Sequence, residues 1–133
     1  MRVIGVELTG SDMVYVIVTN RFGDPMVEAS GKITLGRDTR DAGALAVFQT
    51  AVKGILAEHQ PDRVAMKQKP ERGQYAAGPA ALKMEALLLA TADCGVVFVS
   101  GRKTKAEVLD GFGFRKYEQD ALASALVVLG SGT

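Results

Sequence analysis

Three apolar stretches rich in β-branched residues occupy the first third of the chain. They predict strands at residues 3–8, 13–19 and 26–35. Turn-forming residues separate the stretches at positions 9–12 and 20–25, and Gly31 predicts a β-bulge within the third strand. Because short turns join strands that run in opposite directions, this part of the chain is predicted to form an antiparallel meander.

After this meander the apolar positions recur every three or four residues, which predicts a helix. The residues on its apolar face are Leu45, Phe48, Val52, Ile55, Leu56 and His59. Asp41 or Thr39 is the expected N-cap, and Pro61 the expected end.

The second half of the chain predicts shorter elements. Arg63–Lys67 and residues 96–99 are predicted strands, with a polar loop at residues 69–78 between them. A second helix is expected to begin at Pro79 and to stop at Gly95. A helical turn at residues 104–109 and a last helix at 114–129 complete the prediction. The core faces of these two helices are predicted to be Ala80, Met84, Leu87, Leu88 and Thr91, and Tyr117, Ala121, Ala125 and Val128.

The resulting element order is β-β-β-α-β-α-β-(α)-α, which indicates an α/β fold. The first, fourth and fifth strands are linked through helices and should be parallel, with the second strand antiparallel beside the first. The 133 residues amount to one domain, spanning residues 1–133.

Composition restricts the function classes. The chain is 47% apolar and 23% charged, as in ordinary globular proteins, and it has no apolar run of the ~20 residues that a membrane span needs. Because Glu7 interrupts the first apolar stretch, we expect that this stretch is not an export signal. We therefore expect a cytoplasmic protein. The single cysteine excludes an internal disulfide. A net charge of +1 is far from that of a dedicated nucleic-acid-binding protein, so any such binding requires a local basic patch.

Three short motifs resemble those of the RuvC-like branch of the ribonuclease-H-like superfamily, the Holliday junction resolvases. Ile-Gly-Val-Glu at residues 4–7, followed by Thr9-Gly10, is similar to the first strand of that family. Residues 64–68 resemble its fourth strand, and Asp-Ala-Leu-Ala at residues 120–123 resembles the acidic motif on its last helix. The Gly-Val-Glu-Leu start and Lys-Met-Glu-Ala at residues 83–86 also resemble short uncharacterised bacterial proteins of this fold. The resemblance implies a mixed five-stranded sheet flanked by helices.

The resemblance also implies a site in which carboxylates hold one or two Mg²⁺ ions around a scissile phosphate. Glu7 and Asp120 are then the metal ligands and, with Lys67, the candidate catalytic residues. The match is incomplete, because Lys67 stands where the resolvases place glutamate and Tyr117 where they carry another acid. An ion pair between Lys67 and Glu7 is a more ordinary role for this lysine than that of a catalytic base. The resemblance thus implies a degraded or altered metal site, and one Mg²⁺ held by Glu7, Asp120 and substrate phosphate is the alternative left open.

Basic residues follow the fourth and fifth predicted strands and begin the last helix. The candidate nucleic-acid-binding residues are Lys69, Arg72, Arg102, Lys103, Lys105 and Arg115. In this fold they could lie at one end of the sheet, where phosphates would suit them. The alternative is that they are solvated loop residues.

Each candidate also has a structural interpretation. Glu7 could lie at the surface of a strand end and Asp120 on a solvated helix face, although a charge inside an apolar strand is costly. His59 is typical of a helix C-terminus and Cys94 of a buried filler.

Three functions from different classes remain open. The first is a divalent-metal-dependent nuclease acting on structured DNA or RNA, and the second is a non-catalytic nucleic-acid-binding or protein-interaction module that retains the fold. The third is a nucleotide or small-molecule binding role, which in this superfamily normally needs two such domains. The resemblance makes a homodimer plausible.

Overall fold

The computed structural model describes residues 1–21, 23–68, 78–100 and 116–130. These residues form five strands and three helices. The elements are β1 Arg2–Thr9, β2 Asp12–Arg21, β3 Asp24–Thr34, α1 Ala42–His59, β4 Arg63–Lys67, α2 Pro79–Thr91, β5 Gly95–Val99 and α3 Lys116–Gly130. The helical turn predicted at 104–109 and nearly all of the loop predicted at 69–78 lie outside the described residues. Within the described residues, no helix is both long and apolar enough to cross a bilayer.

The strands form one mixed sheet in the order β3-β2-β1-β4-β5. β1 pairs in parallel with β4, and β4 with β5, whereas β2 runs antiparallel to both of its neighbours. This arrangement confirms the predicted α/β class and the predicted strand directions. The helical connections between β1, β4 and β5 require parallel strands, and the tight turns on either side of β2 require antiparallel ones.

The two faces of the sheet bury different sets of side chains. One face packs against α1 and α2, through Ile4, Val6 and Leu8 of β1. The other face packs against α3, through Val3 of β1 and Ala65 of β4. β1 is buried on both faces because it is the central strand, and side chains alternate along it. Every second residue of β1 therefore faces α3.

The β2–β3 hairpin is longer than the sequence predicts. Asn20 pairs with Pro25 and Arg21 with Asp24, so residues expected in the turn belong to the ladder. Gly23, with φ of 86°, supplies the left-handed conformation at the tip. Polar side chains at a hairpin end do not prevent backbone pairing, which explains why the predicted turn was too wide.

The bulge predicted at Gly31 is at Glu28 instead. Ile17 pairs with Ala29 and Val18 with Val27, which leaves Glu28 as the extra residue on β3. The Glu28 carboxylate receives two hydrogen bonds from Arg2, with Nε 2.7 Å from Oε2 and Nη2 3.1 Å from Oε1. Gly31 has a packing role, because a Cβ there would press on the ring of Tyr15.

Both ends of α1 and the start of α2 at Pro79 agree with the sequence, whereas the end of α2 does not. Asp41 is the N-cap of α1 and accepts a hydrogen bond from the Gly43 amide, so Thr39 is not the cap. α1 ends at His59 before Pro61, as predicted. Gly95 does not end α2, which stops at Thr91 with Ala92 as its C-cap. Gly95 is instead the first residue of β5, where it pairs with Arg63.

Candidate active site

Glu7 is a buried carboxylate on the central strand. Its side chain is only 3% exposed, and the alternation along β1 places it on the α3 face with Val3 and Gly5. Its Oε2 atom is buried and accepts no hydrogen bond from the described residues, while the carboxylate as a whole has another interaction within the protein. A buried charge costs several kcal/mol of desolvation, roughly, before its interactions are counted. The interpretation of Glu7 as a surface residue at a strand end is therefore wrong.

α3 lies very close to β1 at Gly5. A Cβ atom at this position would overlap the carbonyl oxygen of Ala121 and lie 2.9 Å from the Cβ of Ala125. A glycine is needed here because the backbone of the helix occupies the space that any other side chain would fill. Asp120 directly precedes Ala121, and Glu7 is two residues beyond Gly5, so the close approach brings the start of α3 onto the strand that carries Glu7.

Lys67, the last residue of β4, lies next to Glu7 across the sheet. The register pairs Val6 with Met66, so the next positions along the two parallel strands are Glu7 and Lys67, on the same face. The Nζ atom of Lys67 lies 3.6 Å from Oδ2 of Asp120, and the two side chains are 25% and 26% exposed. The structure thus brings the three predicted catalytic residues to one place, at the carboxyl ends of β1 and β4.

The ion pair of Lys67 differs from the one expected. The sequence predicts Glu7 as its partner, whereas the structure shows an ion pair with Asp120. The physical reason is the close packing of α3 on Gly5, which the sequence pattern does not reveal. Asp120 is consequently a half-buried residue with a charged partner rather than an acid on a solvated helix face.

The carboxylates suit one Mg²⁺ better than two. Mg²⁺ is usually held by one or two carboxylates, with substrate phosphate and water completing six oxygens. Glu7 and Asp120 are hard oxygen ligands of this kind. Among the described residues, no group of three or more His, Cys, Asp or Glu side chains is placed to hold a metal ion. By the chemistry of its donors, the pair of carboxylates could supply the protein's share of the ligands of one Mg²⁺.

A groove of about 680 Å³ lies over β2 and β3. One of its lining residues, Val14, pairs with Glu7 across β1 and β2. The β2–β3 groove is lined by Thr9, Gly10, Ser11, Asp12, Val14, Ser30, Gly31, Lys32 and Glu118. Its hydroxyl, ammonium and carboxylate groups can hydrogen-bond to the sugars, phosphates or base edges of a nucleic acid.

Glu118 lies two positions before Asp120 and is not among the site residues predicted from the sequence. It reaches the β2–β3 groove, while Asp120 contacts Lys67 on the other side of the helix. Residues two apart on a helix are separated by roughly 200° around its axis, so they cannot point to the same place. That spacing indicates two acids on opposite sides of α3, although it does not tell which neighbours they meet.

The predicted nucleic-acid-binding residues lie outside the described residues. They are Lys69, Arg72, Arg102, Lys103, Lys105 and Arg115. The side chain of Tyr117, which stands at the position of an acid in the resolvases, is also outside them. These assignments remain predictions from the sequence.

His59 and Cys94 lie far from Glu7, at the opposite end of the sheet. The carbonyl of His59 accepts a hydrogen bond of 3.0 Å from Nη1 of Arg2, which ties the end of α1 to β1. Cys94 lines a second cavity, between the ends of α1 and α2. Burial raises the pKa of the Cys94 thiol, so this group is less reactive than an exposed cysteine at neutral pH.

Residues 1–127 match the model of a family described as a protein of unknown function, DUF3010. The chain belongs to the DUF3010 family. No curated protein is significantly similar to it in sequence. The DUF3010 match agrees with the resemblance to short uncharacterised proteins, and it assigns no reaction.

Solved structures give this DUF3010 member a RuvC-like fold. RuvC of Thermus thermophilus superposes with a TM-score of 0.81 at 14% sequence identity, covering 100% of this chain and 98% of that one. The same enzyme in complex with a Holliday junction substrate gives 0.74 at 15% identity, covering 95% and 90%. The Holliday junction resolvase of fowlpox virus gives 0.60 at 12% identity, covering 98% and 99%. The predicted ribonuclease-H-like fold is thereby confirmed.

Proposed function

We propose that this DUF3010 protein is a divalent-metal-dependent nuclease that hydrolyses phosphodiester bonds in structured nucleic acid, through a carboxylate site smaller than that of the resolvases. The observation that carries the proposal is the buried Glu7, which lies on the central strand beside the ion pair of Lys67 and Asp120. Ionisable groups that are buried or half-buried together at one end of a sheet are typical of functional sites, because their burial costs stability. The resolvases that share the fold act on Holliday junctions, which suggests a branched substrate.

Each of the three residues has a separate role in this proposal. Glu7 and Asp120 would hold the Mg²⁺, and Lys67 orients Asp120 through their ion pair. The ion, when bound, supplies Lewis-acid stabilisation of the charge that develops on the phosphate. The β2–β3 groove would accept the nucleotide next to the reacting phosphate, since its lining includes Val14, the residue paired with Glu7.

The substrate would be bound largely by residues in the second half of the chain. The basic residues Lys69, Arg72, Arg102, Lys103, Lys105 and Arg115 are the proposed contacts to the nucleic-acid backbone. A homodimer is part of the proposal, because a two-fold symmetric substrate suits a two-fold symmetric enzyme. Light scattering of the protein with and without a four-way junction measures this assembly.

The test is cleavage of a fluorescently labelled four-way DNA junction in Mg²⁺ or Mn²⁺. Wild type is expected to cleave, and Glu7→Gln to lose at least about 100-fold in rate, because an amide is a much weaker ligand than a carboxylate. Glu58→Gln is the matched control, since Glu58 is an exposed glutamate of α1, with its side chain 73% exposed. Its rate should equal that of wild type. No cleavage by wild type, or equal cleavage by Glu7→Gln, would contradict the nuclease.

A second candidate is a junction-binding protein that does not cleave. The ion pair between Lys67 and Asp120 favours this candidate, because the ammonium competes with a metal ion for one of the two carboxylates that could bind it. This protein would bind the labelled junction with wild-type affinity whether or not Glu7 is replaced. Fluorescence anisotropy in EDTA, repeated at several salt concentrations, measures the affinity of wild type and Glu7→Gln for the junction. Equal affinities together with no cleavage by wild type in Mg²⁺ would indicate the binding protein rather than the nuclease.

A further inference from the structure

We propose that the ammonium of Lys67 takes the place of one divalent cation, so that the protein binds one metal ion fewer than it would with a carboxylate at this position. The inference rests on the proposed function only in that it concerns the same site. It deals with how the site obtains its positive charge, and it can be tested without any cleavage.

The position of Lys67 is the first argument. Lys67 and Glu7 hold equivalent positions on two adjacent parallel strands, and Nζ of Lys67 is 3.6 Å from Oδ2 of Asp120. In two-metal sites the ions lie about 3.5–4 Å apart and share carboxylate ligands. An ammonium in contact with Asp120 is therefore placed where it repels a second cation from the same carboxylate.

The formal charges are the second argument. Glu7 and Asp120 carry two negative charges and Lys67 one positive, so the three side chains sum to one negative charge. One divalent cation changes that sum to one positive charge. With glutamate at position 67 the sum would be three negative charges, and two divalent cations would lead to the same single positive charge. A lysine here thus replaces a carboxylate together with the cation that it would bind.

The burial of the ion pair is the third argument. The side chains of Lys67 and Asp120 are 25% and 26% exposed, so solvent screens them less than a surface pair. Lys67 also stands opposite the buried Val99 of β5, which restricts where its side chain can go. The ammonium is a partly buried group of the site, with donors that suit a phosphate oxygen.

Counting bound Mn²⁺ tests the inference, by isothermal titration calorimetry of the full chain without nucleic acid. Lys67→Glu is expected to bind one ion more than wild type. Lys67→Gln, which removes the ammonium and adds no charge, is expected to keep the wild-type count and to bind Mn²⁺ at least about 3-fold more tightly, because the repulsion is gone. Lys83→Glu, the same charge reversal on α2 at the opposite face of the sheet, should change neither count nor affinity.

Thermal melts in EDTA establish that each variant is folded before its ions are counted. An equal Mn²⁺ count in wild type and Lys67→Glu would overturn the inference, and so would unchanged affinity in Lys67→Gln if Lys67→Glu fails to fold. Cleavage plays no part in these counts. An inactive wild type with the expected difference in count would contradict the nuclease and leave the role of Lys67 supported.

Discussion

The two faces of the sheet are built from different kinds of residue. The α1 and α2 face is filled by large apolar side chains, among them Ile4, Phe48, Met84 and Leu88. The α3 face is filled largely by small residues, and one end of it carries Glu7, Lys67 and Asp120. Large side chains keep a helix at a distance and contribute most of the buried apolar area. Small side chains let the helix backbone reach the sheet. This packing stabilises the fold less than the burial of large side chains does, and it holds the polar groups on α3 close to those on the sheet. We infer that the first face mainly stabilises the fold and that the second mainly positions the site.

The largest expected effect on this comparison is on the first face. Phe48→Ala removes a ring that is 1% exposed, and should lower the free energy of unfolding by about 3–5 kcal/mol, from lost transfer energy and a cavity. Urea denaturation measures the loss. Mn²⁺ affinity, measured where the variant is folded, should remain that of wild type because Phe48 and the residues of α3 belong to separate core clusters.

The adjacent residue is a matched control for this substitution. Val47 is 71% exposed on the same turn of α1, so Val47→Ala should change the free energy of unfolding by less than about 0.5 kcal/mol. Weaker Mn²⁺ binding in Phe48→Ala than in Val47→Ala would show that the two faces are coupled.

A smaller loss of stability, with a larger effect on the site, is expected at Gly5. Gly5→Ala places a methyl group against the carbonyl of Ala121, so α3 must move, at a cost of about 1–3 kcal/mol. Because Asp120 moves with the helix, Mn²⁺ affinity or junction cleavage should fall at least about 10-fold. For each kcal/mol of stability lost, Gly5→Ala should therefore lose more Mn²⁺ affinity or cleavage than Phe48→Ala does.

Gly54→Ala is the control for Gly5→Ala. Gly54 lies in the middle of α1 and a Cβ there meets nothing within 4 Å, so the change should stabilise the helix by about 0.5–1 kcal/mol and leave the site unaltered. A Gly5→Ala variant with wild-type stability and wild-type Mn²⁺ affinity would refute the close approach of α3.

The smallest expected effect is at the N-terminus of α1. Asp41→Ala removes the side chain that caps Gly43 and should cost about 1 kcal/mol of stability. Asp41→Asn should restore most of it, since asparagine is an equally good cap. Thermal denaturation of both variants measures the difference. Equal stability of Asp41→Ala and wild type would mean that capping adds nothing to this face.

Much of the fold could be predicted from the sequence because its signals are local. Proline at the start of α2 and an acidic cap before α1 each act within one turn of helix. Predictions failed where one residue type has two uses. Gly95 was expected to end a helix and instead begins β5, and Gly31 was expected to mark a bulge and instead makes room for Tyr15.

The sequence by itself determined the element order and the parallel and antiparallel strands, which follow from periodicity and turn chemistry. Glu7 stands out in it as a charge inside an apolar strand, whereas Asp120 was predicted only from the resemblance to the resolvases. Only the tertiary structure decided that Asp120 pairs with Lys67 and that Glu118 reaches the β2–β3 groove. Both depend on how closely α3 approaches Gly5, a distance set by packing between residues more than a hundred positions apart, which no local pattern encodes.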